Sequence, residues 1–269
     1  MPPMTKAGRR RSSRARPRTM ILGRFLACLG LAGAAVLDAA EAPNTLTPAE
    51  ARAGWRLLWD GRTSRGWRGA NLDGFPATGW IMKDGTLTIP AAGGIQGASG
   101  GDIVTLETFS DFELSIDFRI APDAKSGVKY FVDPDAPRGP ATSLGLQYHI
   151  VDDAVNPDAR KGTGGDRTLG SVYDLVPADP HKTTEPTGAW NTLRIVARGG
   201  RVEHWLNGGK VLAYDRFSPE FRARLAASKY KDLPGFGQAR TGRILLQDHG
   251  HEVSFRNLKI RVLPPEPQG

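Results

Sequence analysis

The residues of this chain best suited to chemistry are histidines, carboxamides and a lysine, set at alternate positions of apolar segments. In LGLQYHIVDDAVNPDARKG, Gln147 and His149 stand two apart and share one face of any strand, with Asp152 and Asp153 at its end. In ILLQDHGHEVSFRN, Gln247 and His249 repeat that spacing, with Asp248 opposite and a turn at Gly250. Imidazoles titrate near neutral pH, so His149 and His249 suit a general base, and His249 at a strand end suits a metal ligand equally. The alternative for Gln147 and His149 is a solvated outer face. Asp248 fits a turn cap better than a chemical role.

Other positions divide in the same way. Lys129, in SGVKYFV, shares a face with Phe131 and is either solvated or a cation able to hold an enolate or oxyanion. His204, in RVEHWLNG, shares a face with Val202 and Leu206, where a hydrogen-bonded structural histidine competes with a place in a cleft. Trp80, Trp190 and Trp205 belong to the core unless they surface on a sheet face, where they would stack on sugars. The acid-rich run Asp152, Asp153, Asp158 and Asp166 could ligate a hard divalent cation. It lacks the regular spacing of a calcium loop, so plain solvation is favoured. No GxSxG elbow, P-loop, HExxH or dinucleotide fingerprint occurs, so no nucleotide cofactor is expected.

Charge is unevenly placed. The chain has 269 residues, 36 Lys+Arg against 28 Asp+Glu, and a single cysteine. Eight of the basic residues fall within the first 24 positions, which hold no acid. The apolar run FLACLGLAGAAVL and a small-residue exit follow. These are the three parts of a secretory signal peptide, expected at 1–42 with cleavage between Ala39 and Ala42. Removing it leaves 28 Lys+Arg against 26 Asp+Glu, a net of +2, which gives no field to draw in nucleic acid. The lone Cys28 leaves with the leader, so thiol catalysis is excluded. A periplasmic or extracellular protein with no membrane span after processing is the expectation, and the sequence is silent on oligomeric state.

Elements able to position these residues are short strands, expected at 55–59, 80–83, 86–89, 103–107, 112–120, 127–132, 146–151, 170–175, 192–197, 201–206, 210–214, 243–247 and 253–262. Asp84-Gly85, Gly199-Gly200 and Asn207-Gly208 supply hairpin turns. In FELSIDFRI the apolar residues Phe112, Leu114, Ile116 and Phe118 alternate with Glu113, Ser115, Asp117 and Arg119, the mark of an antiparallel sheet with one face in the core. One helix is expected, opened by Ser218 as N-cap and Pro219 as first residue. The fold class is therefore all-β: a single domain over 43–269, built as a two-sheet antiparallel jelly-roll sandwich with one short helix and long loops at 133–143 and 152–169.

In order along the chain, GGDIVT, DFELSIDFR, SGVKYF, QYHIVDD, GSVYDL, GAWNTLRIV, VEHWLNG, SKYKD and LQDHGHEVSFRNLKIR resemble the 3-keto-disaccharide hydrolase family. The resemblance runs from about residue 54 to 263. It implies a jelly roll similar to concanavalin A-like lectins and glucanases, and cleavage of glycosides whose glucose unit carries a ketone at C3. It also implies a divalent metal, for which Asp152, His149 and His249 are the candidate ligands. A C3 ketone acidifies the C2 hydrogen, so a base can remove it and the C1 substituent then leaves by β-elimination; hydration completes a net hydrolysis. On this footing His249 or His149 is the base, Lys129 holds the enolate oxygen, and Gln147, Asp152, Tyr173, His204, Gln247 and Arg119 are candidate substrate ligands. One departure stands out: the family commonly has Glu-(Tyr/Phe)-Gln where this chain reads Gln147-Tyr148-His149. That change keeps a non-catalytic carbohydrate-binding module open as the alternative, with a partner-docking sandwich behind it.

Overall fold

The computed structural model describes residues 42–133 and 144–265. Residues 1–41 of the expected leader, with Cys28, and all but the first residue of the expected loop 133–143 lie outside the described residues. What is described falls in one compact unit, Glu41–Gly269. Among the described residues no helix is long and apolar enough to cross a membrane.

Two antiparallel sheets face each other. The larger contains β1 (Arg56–Leu57), β3 (Ile81–Lys83), β4 (Thr86–Ile89), β6 (Phe112–Ile120), β9 (Asn191–Arg198), β10 (Arg201–Leu206), β11 (Gly209–Asp215) and β13 (Val253–Val262). Its order is β11-β10-β9-β6-β13-β4-β3, with β1 added on β13. The smaller contains β2 (Trp67–Gly69), β5 (Ile103–Thr105), β7 (Lys125–Val132), β8 (Leu146–Val151) and β12 (Arg243–Leu246), in the order β2-β5-β12-β7-β8. This is the two-sheet jelly-roll class expected.

Alternation built it. From β6 the side chains of Phe112, Leu114, Ile116, Phe118 and Ile120 enter the core, where they meet Val128, Tyr130, Tyr148, Ile150, Ile244 and Leu246 of the smaller sheet. Asp84 (φ 50°) and Gly85 (φ 69°), and Asn207 (φ 48°) and Gly208 (φ 81°), make the hairpin turns that their residue types favour. Three local expectations change. Besides α2 (Pro219–Ala227), which opens at Ser218 as expected, there is α1 (Pro48–Arg52), closed by a Thr47/Glu50 capping box, and a 3-10 turn at Pro157–Arg160. Residues 170–175 are not a strand, because Gly170 and Asp174 take positive φ and only Val172 bridges Tyr148 and Val176. Strand β2 is too short to show alternation.

A bulge sets the smaller sheet's outer face. Between Arg243 and Leu245 the register against β7 shifts, and Phe131 adopts φ 53°. Tyr130 and Phe131 therefore both turn inward, and Val132 joins Ala70, Val104 and Leu245 in a small apolar cluster on the outer face. The rest of that face is polar.

His204 resolves to the structural alternative, against its place among the substrate ligands. Wholly buried between the sheets, its Nε2 takes the Tyr130 hydroxyl at 2.8 Å and its Nδ1 donates to the Gly170 carbonyl at 2.8 Å. Burial lowers its pKa from 6.5 to about 4, against the carbonyl bond that raises it. The unfolded chain therefore binds the proton first as pH falls, so this contribution to stability is whole above pH 6.5 and declines down to about pH 4. Between pH 7 and 5 the His204 ring alone should cost roughly 2 kcal/mol of unfolding free energy, and His149, also buried and pushed down, adds in the same direction. Urea denaturation at the two pH values checks this: an unchanged midpoint would contradict the neutral buried assignment.

Candidate active site

The outer face of β7, β8 and β12 is the floor of a cleft of about 380 Å³. Pairing sets Lys129 opposite Gln147 and Gly127 opposite His149, while the Gln247 amide N–H donates to the Gly127 carbonyl at 2.9 Å. Period two then puts Lys125, Lys129, Gln147, His149 and Gln247 on one side of the sheet. Gly127 is what lets them meet, because a Cβ there would overlap the Gln147 amide. That amide donates to Gln247 Oε1 at 3.2 Å and pairs with His149 Nδ1 at 3.1 Å.

Beside the floor, next to edge strand β8, lies a charge network. With Nδ1 accepting, His149 turns Nε2 toward Asp158 Oδ2 at 3.6 Å, and Asp158 also receives Lys125 Nζ at 2.8 Å and an Arg167 nitrogen at 3.1 Å. Burial opposes the ionised carboxylate, yet the bonds from His149 and Lys125 hold Asp158 well below the usual carboxylate range. The Tyr173 ring lies 4.6 Å from the His149 ring, and burial together with Asp158 raises its hydroxyl pKa. Asp174, at φ 60°, pairs with Arg167 and with Lys229, the latter at 2.8 Å. Asp158 arrives on the 3-10 turn, whose first bond is Asn156 Oδ1 accepting from the Asp158 N–H.

His249 stands at the opposite side of the cleft. Its Nδ1 is buried without a hydrogen-bond partner, which leaves Nε2 as the nitrogen available to a substrate. Burial, then the neighbouring Lys125, His251 and His149, bring its pKa down from 6.5 to about 4. Asp248 fixes this corner. Fully buried, it accepts from Ser99 N (2.8 Å) and Gly101 N (2.9 Å) on one oxygen and Gly250 N (2.9 Å) on the other. It thereby ties the loop carrying Gln96 to the turn carrying His249. Lys129 Nζ lies 3.7 Å from Asp102, whose carboxyl burial pushes up even with that lysine beside it. Apolar residues Leu144, Tyr230, Leu233 and Phe236 form the remaining wall, with Tyr230 and Phe236 stacked at 4.0 Å.

Of the residues expected from sequence, His249, Lys129, Gln147, Gln247 and Tyr173 line this cleft together. His149 shares their sheet face but is wholly buried against the Tyr173 ring, where it supports Gln147 rather than facing the opening. Asp152 is not in the lining; its oxygens accept from the Asp123 and Ala154 backbone N–H groups. Arg119 is on the outer face of the larger sheet, 4.8 Å over the Trp190 ring, because it alternates with the core residues of β6. Trp190 and Trp205 are half-buried there, under Arg119 and Arg256 and under Arg194 and Lys210, which leaves no open sugar platform; Trp80 is buried. Lys125, Lys229, Gln96 and Asp158 joined the site without being singled out for it. Asp158's signal was the acid run, read as solvated, and Lys125's was its even spacing from Lys129.

Among the described residues no three His, Cys, Asp or Glu side chains converge as a metal ion needs, and Asp152 is committed to backbone donors. The set Asp152, His149 and His249 does not fit a metal, and no step below is routed through one.

A family model described as the 3-keto-alpha-glucoside-1,2-lyase-like domain matches residues 54–261. The chain belongs to this family. The match spans every strand from β1 to β12 and nearly all of β13, and so includes the whole cleft floor. Among the chain's relatives, a curated 3-keto-disaccharide hydrolase of Bacteroides thetaiotaomicron is 31% identical over 247 residues, which covers 84% of each chain. A crystal structure of a candidate glycosyl hydrolase from Parabacteroides distasonis is similar at TM-score 0.71 and 29% identity, over 82% of this chain and 100% of that one. A second from the same organism shares the fold, at TM-score 0.61 and 24% identity over 78% and 99%.

Replacing Asp248 by Ala leaves three N–H groups of the His249 corner without their carboxylate. We expect a loss of about 3 kcal/mol in unfolding free energy, together with faster proteolysis near residues 92–101, read by urea titration and limited digestion. Wild-type stability in this variant would show that the corner does not depend on Asp248.

Proposed function

We propose that the protein is an exported enzyme that cleaves 3-keto-glycosides, acting as a hydrolase by way of a lyase step. The observation that carries this reading is a cleft in which one accessible imidazole, three ammonium groups and three carboxamides converge and no carboxylate lines the wall among the described residues. Ordinary glycosidases need two carboxyl groups flanking the bond. Proton abstraction beside a ketone needs one base and a cation or donor for the enolate oxygen.

In this scheme His249 removes the C2 proton, and the C–H electron pair moves into the C2–C3 bond as the C3 oxygen takes negative charge at Lys129. When the carbonyl re-forms, the pair moves between C1 and C2, the C1–O bond breaks with its electrons, and the aglycone oxygen collects a proton. Water then adds to C1 of the enone while a proton returns to C2. Lys125, Gln147 and Gln247 hold sugar hydroxyls. His149, beneath the surface, fixes the Gln147 amide. The family assignment, the Bacteroides thetaiotaomicron relative's name and the leader at 1–42 support the substrate class and export. The binding-module alternative receives no specific observation in its favour.

The test is direct. With a 3-keto-glycoside, the purified protein should release aglycone and show a transient ultraviolet band from the enone. His249→Ala should lose about 10²-fold or more in kcat, with Lys129→Met also strongly impaired. Binding without turnover by the wild type would overturn the enzyme reading.

The lowered His249 pKa sets the pH profile. A base must be unprotonated, so kcat/KM should stay level from neutral pH down and fall only as pH approaches about 4. An acid limb centred near 6.5 would exclude His249 as the base in the environment seen here.

A further inference from the structure

Cations outnumber carboxylates at one end of the cleft. Around the Tyr173 ring stand Lys229 Nζ at 4.0 Å, the Arg167 guanidinium at 5.1 Å and Lys125 Nζ at 5.5 Å. Among the described residues Asp158 and Asp174 pair with them, and Arg167 is shared between both carboxylates. The next acid, Asp166, accepts from the Thr163 backbone N–H. By direct pairing, three cations therefore share two carboxylates. Lys229 is the member of the trio with 47% of its side chain exposed, and it borders the apolar wall of Tyr230, Leu233 and Phe236.

That wall is mainly apolar, with the Tyr230 hydroxyl its one side-chain polar group, so it suits the leaving part of a glycoside better than the hydroxyl-rich sugar. We propose that this end of the cleft selects substrates whose aglycone is an aromatic acid, its ring against Tyr230, Leu233 and Phe236 and its carboxylate at Lys229. The proposal rests on the glycoside reading above and adds the class of leaving group. A cation beside an apolar surface is well placed for this, because its partner carboxylate would be partly desolvated and the charge-assisted bond correspondingly stronger.

The experiment separates binding from turnover. By calorimetry, the full-length mature protein should bind 4-hydroxybenzoate about tenfold or more tighter than the neutral isostere 4-hydroxybenzamide. Lys229→Met should bring the two affinities together, and Lys229→Arg should keep the preference. In parallel, the 3-keto-glucosides of the same two phenols are offered as substrates. Equal affinity in the wild type, or a preference that survives Lys229→Met, overturns the inference. A preference for glucuronate over glucose without one for the benzoate would place the charge on the sugar and overturn it too. Failure of both glucosides to turn over while the binding preference holds would instead strike at the enzymatic reading and leave the anion site standing.

Discussion

The cleft depends on one buried carboxylate. Asp158 meets Lys125, Arg167 and His149 at once, and it is not itself in the cleft lining. Gathering two cations and an imidazole into one half-buried layer is unfavourable unless an anion lies among them, since each charge loses hydration there. The 3-10 turn after β8 brings that anion beside the floor. The same pairing recurs with Asp174 beside Lys229 and Asp102 beside Lys129. Each of these carboxylates pairs with an ammonium group that lines the cleft. An enolate oxygen needs such a surface: preorganised cations already desolvated on one side.

The Gln147–His149 pair adapts to the same anion. Here the Gln147 amide donates and His149 Nδ1 accepts. Accepting at Nδ1 places the ring proton on Nε2, the atom directed at Asp158. The pair thus makes a hydrogen bond on the floor that carries no negative charge of its own.

The fold was legible because its information is local. Alternation in Phe112–Ile120 fixes which face is buried, and Asp84-Gly85 and Asn207-Gly208 encode backbone conformations that other residue pairs reach with strain. Spacing of two also brought Gln147, His149, Gln247, His249 and Lys129 to one sheet face. What spacing cannot encode is depth. His149 has the same alternation as its neighbours yet lies under Tyr173, because residues 170–175 fold back as turns with positive φ at Gly170 and Asp174 rather than running as a strand. Arg119 and Asp152 failed for a related reason. Each obeys its local pattern, but the decisive fact is which sheet or turn stands opposite. Asp158 was hidden in an acid run whose other members serve backbone donors, and only the 3-10 turn at Pro157–Arg160 distinguishes it.

The electrostatics also decide between the two candidate bases. Both imidazoles are pushed toward the neutral form, but by surroundings of different kinds. His149 is enclosed, with one nitrogen bound to Gln147 and the other directed at Asp158, so a proton gained there could reach the substrate only through a second group. His249 has a buried Nδ1 and lines the opening, and the cation Lys125 lies near enough to disfavour its protonation. A weak base of this sort must be helped by stabilising the product of proton loss, and the helper is on the same floor: Lys129, opposite Gln147 in the ladder and backed by Asp102. Lowering the basicity of His249 and supplying an ammonium group for the enolate are therefore two consequences of one positive cleft. In the proposed reaction, the same field that keeps the imidazole unprotonated would make the C2 hydrogen of a 3-keto sugar more acidic, so base and acid would be matched by a shared environment rather than by separate devices.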